Sequence, residues 1–387
     1  MRATVERSHL LRSLGHVHRV VERRNTIPIL SNVLIRAEPG SGTGGGRLTL
    51  KATDLDLEIT ETVPADVGQA GATTVPAHVL HDIVRKLPDG AEVSLDTGDG
   101  GQLALKSGRS RFSLQVLPES DFPDLTAGEF PIRFTMPASA VKKLIDRTQF
   151  AISTEETRYY LNGIYLHIVK GGGDGKPMLR AVATDGHRLA QSELEAPEGA
   201  AEMAGVIVPR KAVGEIQKLV ENPEAVVEVE LSDTKIRVTI PGSSEGGGGD
   251  VLLTSKLIDG TFPDYARVIP HANDKVLKVD RGEFADAVDR VSTISSERGR
   301  AVKMALTEGK MTLSVNNPDS GSAVEELGVD YPADAIEIGF NARYLLDVAA
   351  QLETGTAEFR FADPGSPTLI LDDGAADALY VLMPMRV

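Results

Sequence analysis

The chain contains no cysteine, so disulfides, thiolate metal sites and cysteine nucleophiles are excluded. No uninterrupted apolar run approaches the roughly 18 residues that a membrane-spanning helix needs. The first residues, Met1 to Arg7, are charged where a signal peptide needs an apolar core. These absences predict a cytoplasmic protein with no membrane partner.

Motifs for catalysis and cofactor binding are also missing. The eight histidines form no HExxH pair, and no GxSxG segment offers a hydrolase nucleophile. The stretch from Gly40 to Gly45 matches the dinucleotide-binding pattern, but a predicted strand follows it where that motif must open a helix. The stretches from Gly171 to Gly175 and from Gly246 to Gly249 lack the lysine and the hydroxyl residue of a phosphate loop. We interpret the last two stretches as flexible hairpin tips, do not interpret the first as a nucleotide site, and expect no metal and no cofactor.

The segment Thr184-Asp185-Gly186-His187-Arg188-Leu189 has the composition of a functional site, with a hydroxyl, a carboxylate and an imidazole close together. Its Asp-Gly pair also marks a tight turn, and matching positions elsewhere read Asp54-Leu55 and Asn317-Pro318. Three interpretations stay open. The segment is a structural turn, a turn that forms part of a binding surface, or a catalytic site built on Asp185 and His187.

The formal net charge of -15 argues against a nucleic-acid partner, but the positive charges are unevenly distributed. Residues 1–24 contain six arginines and two glutamates. Later predicted helices carry two further basic clusters, which are Lys142, Lys143 and Arg147, and Arg210, Lys211 and Lys218. Basic helices on one surface of an acidic protein would direct a polyanion to that surface. The alternative, that these are ordinary solvated helix faces, stays open from charge alone.

Similar landmarks recur along the chain. Each of the segments Thr74-Val75-Pro76-Ala77, Ile207-Val208-Pro209-Arg210 and Gly339-Phe340-Asn341-Ala342 opens a stretch with helical apolar periodicity. The interval is 133 positions from Val75 to Val208 and 132 from Val208 to Phe340. This period is too long for a solenoid unit, and it predicts three tandem copies of one domain that fill the chain.

Each copy has the same predicted order of elements. The first helices are expected at Arg7 to Val21, Ala138 to Thr148 and Arg281 to Ile294. The second helices are expected at Ala77 to Leu87, Lys211 to Val220 and Ala342 to Leu352. Short alternating strands such as Arg47 to Ala52 surround them. The pattern predicts an α+β fold in which two helices cover one face of antiparallel sheets, so that the helices of all three copies could line a common surface.

The carboxyl-terminal residues are apolar, whereas free chain ends are usually polar. Tyr380 to Leu382 predicts a last core strand. Beyond it, Met383, Pro384 and Met385 would leave an adaptable apolar patch that suits the docking of varied peptides.

Five segments resemble the bacterial sliding clamps, the beta subunits of DNA polymerase III. They are Arg158-Tyr159-Tyr160-Leu161-Asn162-Gly163, Ala183-Thr184-Asp185-Gly186-His187-Arg188-Leu189, Val208-Pro209-Arg210-Lys211, Phe262-Pro263-Asp264-Tyr265 and Met383-Pro384-Met385-Arg386. The resemblance extends over essentially all 387 residues. It implies three tandem copies of the DNA-clamp fold, at residues 1–128, 129–268 and 269–387. It also implies a head-to-tail homodimer that closes into a six-domain ring, with helices facing the hole.

The resemblance implies a processivity factor that is not an enzyme and that encircles duplex DNA without reading its sequence. The DNA contacts of the family fall on Arg24, Tyr159 and Tyr160. His78 stands where an arginine is familiar, and Glu155 where an amide is familiar. The basic clusters add Lys142, Lys143, Arg210 and Lys211 to the expected DNA-facing residues. An enzyme and a three-domain scaffold that never touches DNA are the rival hypotheses.

The resemblance also implies a groove that binds short peptides of the replicative polymerase, the clamp loader and repair proteins. Its expected residues are Leu161, Thr184, Gly186, His187, Arg188, Leu189, Pro263, Arg267, Val268, Asn341, Tyr344, Met383, Pro384, Met385 and Arg386. At the subunit interface the resemblance implies that Arg109, Arg111 and Phe112 of one chain meet Ile294, Asp319 and Glu325 of the other. Gly299 stands where the family has an aromatic residue, which predicts a less apolar interface.

Overall fold

The computed structural model describes residues 1–40, 45–98, 101–125, 128–171, 175–242, 248–295, 300–375 and 377–386. Residues 41–44, 172–174 and 246–247 of the three glycine-rich stretches lie outside these residues, as does Gly299. Among the described helices, none is long and apolar enough to cross a membrane.

Each copy has eight strands and two α-helices within the described residues, in the order β-α-β-β-β-β-α-β-β-β. Copy 1 consists of β1 (Arg2–Glu6), α1 (Arg7–Val17), β2 (Asn32–Glu38), β3 (Gly46–Thr53), β4 (Leu57–Gln69), β5 (Gly71–Pro76), α2 (Ala77–Lys86), β6 (Glu92–Asp96), β7 (Gln102–Ser107) and β8 (Ser110–Gln115). Copy 2 consists of β9 (Ile132–Pro137), α3 (Ala138–Asp146), β10 (Gly163–Lys170), β11 (Pro177–Thr184), β12 (Arg188–Glu195), β13 (Val206–Pro209), α4 (Arg210–Leu219), β14 (Val226–Leu231), β15 (Lys235–Ile240) and β16 (Val251–Lys256). Copy 3 consists of β17 (Lys275–Asp280), α5 (Arg281–Ser292), β18 (Ala301–Thr307), β19 (Lys310–Asn317), β20 (Gly321–Gly328), β21 (Ile336–Asn341), α6 (Ala342–Ala349), β22 (Thr356–Phe361), β23 (Thr368–Asp372) and β24 (Ala378–Leu382).

The residues pack into two compact units, the first of which comprises Met1–Lys142, Pro197–Met203 and Lys211–Leu257. Its strands form one twelve-stranded sheet with the order β8-β7-β6-β1-β4-β16-β15-β14-β9, from which β3, β2 and β5 branch at β4. Strand β4 of copy 1 pairs antiparallel with β16 of copy 2 and aligns Leu57 with Ser255. The sheet of one copy therefore continues into the next.

The second unit comprises Lys143–Ala196, Ala204–Arg210 and Ile258–Val387. It contains an eight-stranded sheet, β13-β10-β11-β12-β24-β23-β22-β17, and a four-stranded sheet, β20-β19-β18-β21. The same junction recurs here, because β12 of copy 2 pairs antiparallel with β24 of copy 3 and aligns Arg188 with Leu382.

The helices are amphipathic and pack on the sheets through one face. Helix α5 buries Phe284, Ala287, Val288 and Val291, which recur at the spacing of a single helical face. The Asp280 side chain caps the helix by accepting a hydrogen bond of 2.9 Å from the Glu283 backbone N–H. Helix α5 lies against β19, β20 and α6.

The prediction of three tandem α+β copies with antiparallel sheets is confirmed. The last strand is also confirmed, since β24 includes Tyr380 to Leu382. The predicted first helices are too long, because α1 ends at Val17 and a 3-10 turn continues to Val20. Apolar periodicity continues through such a tightened last turn, so it cannot mark the end of the α-helix.

Candidate functional site

A tight turn joins β11 to β12 and exposes Gly186 and His187. Gly186 has φ +87°, in the left-handed region that glycine adopts without strain. The Asp185 carboxylate accepts hydrogen bonds from the backbone N–H groups of His187 at 2.9 Å and of Arg188 at 3.0 Å. Copy 1 builds the same turn around Asp54, whose carboxylate accepts from two backbone N–H groups at 2.9 and 2.7 Å. Asp185 is thus held as a turn-forming group.

The guanidinium of Arg188 is enclosed by polar and aromatic groups. Its Nε donates to Asp185 at 3.1 Å, its Nη1 to the Asp347 carboxylate at 2.5 Å and its Nη2 to the Phe150 carbonyl at 2.6 Å. The same group lies 4.2 Å from the ring centre of Tyr344 and 5.1 Å from that of Phe150. Burial raises the pKa of Tyr344. Arg188 therefore ties the turn of copy 2 to helix α6 of copy 3.

A cavity of about 170 Å³ opens beside this turn. It is lined by Leu161, Thr184, Gly186, Arg188, Leu189, Pro263, Asp264, Tyr265, Val268, Val381 and Met383. Val268 and Met383 are 48% and 39% exposed, which is unusual for large apolar side chains. An apolar hollow with a few polar groups suits the anchoring side chain of an extended peptide.

The floor of this cavity is closely packed. Leu161, Leu189 and Val381 belong to one buried apolar cluster. Tyr265 is part of the same cluster, and its hydroxyl lies 2.9 Å from His167 Nε2 and accepts a hydrogen bond of 3.1 Å from Arg180. A floor that is already packed and hydrogen-bonded need not be ordered when a ligand binds.

The carboxyl-terminal tail forms a wall that is anchored at two points. The Met383 N–H donates to the His187 carbonyl at 2.9 Å, and the Met385 N–H donates to the Gly339 carbonyl at 2.8 Å. The tail thereby connects the turn of copy 2 with the end of β21. Met383, which provides the first of these two anchors, is exposed and faces the cavity with a flexible and polarisable side chain.

Eight of the fifteen predicted groove residues line this cavity, namely Leu161, Thr184, Gly186, Arg188, Leu189, Pro263, Val268 and Met383. His187 and Met385 hold the tail, Tyr344 stacks on Arg188, and Asn341 caps α6 through the Arg343 N–H. The remaining three are not on the cavity wall. Arg267 is 84% exposed and pairs with Asp264, Pro384 is half-buried, and Arg386 is exposed. The role of all fifteen in peptide binding stays a prediction.

Sequence reasoning missed five residues of this site. Asp264, Tyr265 and Val381 line the cavity, while Phe150 and Asp347 hold Arg188. The Phe-Pro-Asp-Tyr segment was a usable signal for the first two. No local pattern marks Asp347, which lies 159 positions from Arg188.

The expected DNA-facing residues have different surroundings. Arg24, Lys142 and Arg210 are exposed, and Tyr159 is 53% exposed. Tyr160 is half-buried, and its ring meets that of Tyr159 edge to face at 5.7 Å. These residues offer cations and aromatic rings at the surface, as phosphate contact requires.

The other four expected DNA-facing residues make hydrogen bonds or ion pairs that the structure shows in detail. Lys143 lies 2.6 Å from Asp377, and Lys211 lies 2.6 Å from both Glu22 and Asp54. His78 Nε2 is 2.9 Å from the Val21 carbonyl. Glu155 accepts two hydrogen bonds from Arg158, which lower its pKa. Nearby carboxylates therefore compensate the positive charges of Lys143 and Lys211, and the contact of these two residues with DNA stays a prediction.

The expected interface residues lie on or near two strands. Arg109, Arg111 and Phe112 are exposed in the β7–β8 hairpin. Asp319 is exposed before β20, and the Ile294 carbonyl accepts a hydrogen bond of 2.8 Å from Asn317. Glu325 on β20 accepts two hydrogen bonds from Arg290, at 3.1 and 2.6 Å. Among these residues, Phe112 is the large apolar side chain that protrudes, at 37% exposure.

Comparison with known proteins gives the same family along the whole chain. The N-terminal, central and C-terminal domains of the DNA polymerase III beta subunit match residues 1–126, 135–264 and 266–386. The beta sliding clamp of Caulobacter vibrioides is 54% identical over 388 residues and that of Pseudomonas aeruginosa is 39% identical, with 100% of each chain covered in both cases. A crystal structure of the DnaN sliding clamp from Bartonella birtlesii, bound to griselimycin, is 57% identical with a TM-score of 0.93 and complete coverage of both chains. The chain therefore belongs to the DNA polymerase III beta subunit family, the bacterial sliding clamps.

Proposed function

We propose that two copies of this chain close into a ring around duplex DNA in the bacterial cytoplasm and tether the replicative polymerase to it. The chain would act as a processivity factor and not as an enzyme. Asp185, the carboxylate of the most site-like segment, is engaged by two backbone N–H groups and by Arg188, which supports a structural role. The observation that best supports a ring is the pairing of strands at the junctions between copies.

Each junction within the chain uses equivalent strands. The fourth strand of one copy pairs with the eighth strand of the next copy, as β4 with β16 and as β12 with β24. Copy 3 has a fourth strand, β20, and copy 1 has an eighth strand, β8. Within the described residues, β20 pairs only with β19 and β8 only with β7, so each has an open edge.

An open strand edge presents unpaired N–H and C=O groups and favours pairing with another chain. We infer that β8 of one chain pairs with β20 of the other, which would repeat the internal junction between chains. Two such contacts close a head-to-tail dimer in which the edges of β8 and β20 are both paired. A single chain that stays open would instead expose both edges to water.

The registers of the internal junctions predict the register of this contact. Leu57 aligns with Ser255, and Arg188 aligns with Leu382. The hairpin pairings make Gly321 the counterpart of Leu57 and Arg188, and Leu114 the counterpart of Ser255 and Leu382. Gly321 would then lie opposite Leu114.

Continuing this register puts Phe112 opposite Ala323, Ser110 opposite Glu325 and Arg109 opposite Glu326. Phe112 lies next to Leu105 on the inner face of its sheet, where an apolar contact would be buried. Because the register places Arg109 opposite Glu326, we assign its contact to Glu326, which also pairs with Lys310 at 3.1 Å, whereas Glu325 pairs with Arg290. Opposite charges at directly facing positions stabilise an antiparallel pair.

The groove beside Arg188 is the proposed attachment point for partners. Its apolar hollow and its methionine wall would accept the Leu or Phe anchors of several extended peptides. The polymerase, the clamp loader and repair proteins would therefore compete for one site.

Retention on DNA tests the function directly. A ring loaded on circular duplex DNA should stay bound at high salt and should slide off after the circle is cut once. A scaffold that never touches DNA would be retained on neither, and a sequence-independent surface binder would leave both at the same rate. Equal retention on circular and linear DNA would rule out encirclement.

A further inference from the structure

A second cleft lies between α5 and α6, separate from the peptide groove. Its volume is about 330 Å³, and its polar lining consists of Asp289, Ser292, Thr293, Ser295, Arg300 and Arg343. No role in the function proposed above uses these residues.

Two arginines of this cleft have no ion-pair partner in the part of the chain that the structure describes. Arg300 and Arg343 are both exposed. The Arg300 carbonyl accepts a hydrogen bond of 2.8 Å from the N–H of Ala342, which holds Arg300 at the start of α6, next to Arg343. Two cations in one cleft repel each other, and the single carboxylate of the lining, that of Asp289, balances only one of them. Several other basic side chains on or next to the helices, such as Lys143, Arg147 and Lys211, are instead paired with carboxylates.

The hydroxyl groups that line the cleft already donate hydrogen bonds to backbone carbonyls. The two arginines are therefore the side chains that can donate to a ligand. Ser292 and Thr293 both donate to the Asp289 carbonyl at 3.1 Å, and Ser295 donates to the Ser292 carbonyl at 2.7 Å. With the Asp289 carboxylate included, the two guanidiniums leave the cleft with one net positive charge. Each guanidinium offers a planar fork that matches the oxygens of a phosphate group.

The three copies differ at the equivalent position. His78, Lys211 and Arg343 are each the second residue of the second helix of their copy. His78 is bound to the Val21 carbonyl and Lys211 to two carboxylates. Arg343 is the member of this set whose side chain makes no hydrogen bond or ion pair within the described residues, so an external anion can reach it.

We propose that the cleft between α5 and α6 binds a phosphate group through Arg300 and Arg343. Duplex DNA supplies that phosphate as it passes the helical face of copy 3, and this source rests on the proposed function. A free phosphate ion is the other source with the same chemistry, and the experiment separates the two.

The first arm measures the affinity of the full-length protein for a short linear duplex by fluorescence anisotropy over a range of salt concentrations. The variants are Arg343→Ser and Arg300→Gly, the latter suited to the φ of +42° at that position. The matched control is Lys170→Ser, which removes one exposed positive charge at the end of β10. The slope of log affinity against log salt should become shallower by roughly 0.9 for each lost phosphate contact. The control should retain the slope of the unmodified protein.

The second arm follows inorganic phosphate by phosphorus NMR line broadening with the same proteins. Broadening that both arginine variants lose, together with an unchanged DNA slope, would assign the cleft to free phosphate. No change in either arm relative to Lys170→Ser would overturn the proposal. If the unmodified protein binds no duplex at all, the proposed function fails at that step, and the phosphate arm alone decides the cleft.

Discussion

The inferred contact between β8 and β20 makes a quantitative prediction for Phe112→Ala. Phe112 is 37% exposed in the single chain, which for a side chain of roughly 200 Å² is about 75 Å² of apolar surface. Burying that surface contributes about 2 kcal/mol per interface at ~25 cal/mol per Å². A ring has two such interfaces, so we expect Phe112→Ala to weaken dimerisation by about 4 kcal/mol, or roughly a thousandfold in the dissociation constant.

Sedimentation equilibrium over a wide range of protein concentrations measures this constant. Val226→Ala is the matched control, because Val226 is 56% exposed on β14 and takes no part in the inferred contact. Unchanged dissociation constants for both variants would refute the assignment of Phe112 to the interface. A similar loss for both would indicate a general effect of removing exposed apolar surface.

The register of the same contact is tested by exchanging charges. Arg109→Glu would bring two carboxylates together opposite Glu326 and should weaken the dimer. Combining it with Glu326→Arg should restore the dimer, whereas combining it with Glu325→Arg should not. Rescue by Glu325→Arg in place of Glu326→Arg would show that the register differs by one residue.

Three further predictions concern the groove, the turns and the response to pH. Deleting residues 383–387 should abolish binding of a clamp-binding polymerase peptide in calorimetric titration while the dimer persists, and undiminished affinity would put the groove elsewhere. Leu55 and Gly186 occupy the same position of equivalent turns in copies 1 and 2, and substitutions there should change stability in opposite directions. Leu55→Gly should raise the free energy of unfolding by about 1 kcal/mol, because Leu55 has φ +79°. Gly186→Ala should lower it by about 1–2 kcal/mol, because Gly186 has φ +87°. Chemical denaturation measures both, and a stabilising Gly186→Ala would contradict the strain argument. Burial, together with the charge of Arg180, lowers the pKa of His167 to about 4, so the folded state favours the neutral ring. The contribution of neutral His167 to the free energy of unfolding is complete above the unfolded-state pKa of about 6.5 and is lost as the pH falls towards 4. The loss should be roughly 1–2 kcal/mol after allowing for solvent screening. Unfolding curves of His167→Gln should lack this part of the pH dependence, and identical pH profiles would exclude His167 as its source.

Local signals in the sequence were sufficient for the repeated architecture. Apolar periodicity and turn residues depend on neighbours within a few positions, so they marked all six helices, the last strand and the Asp-Gly turn at residues 185–186. The class of fold followed from the order of these elements, because two helices and several short strands in each copy can bury their apolar faces in few ways.

Residue types in the groove were also accessible from the sequence, because its segments resemble those of a known family. The shape of the groove could not be predicted from the sequence. Arg188 is held by Asp347, 159 positions away, and the tail is held at Gly339 and His187. Such partners are chosen by packing between copies, which no local pattern encodes.

The tertiary structure decided which positively charged side chains are available to bind a polyanion. Lys143 meets Asp377 at a separation of 234 positions, and Lys211 meets Glu22 at a separation of 189. A cluster of basic residues in the sequence therefore does not show how many of its charges lack a carboxylate partner in the fold. Conversely, Arg300 and Arg343 are 43 positions apart in the sequence and line one cleft. The repeat and the helices depend on local spacing, but whether a cation is available to a polyanion depends on which carboxylates the fold brings within about 4 Å of it.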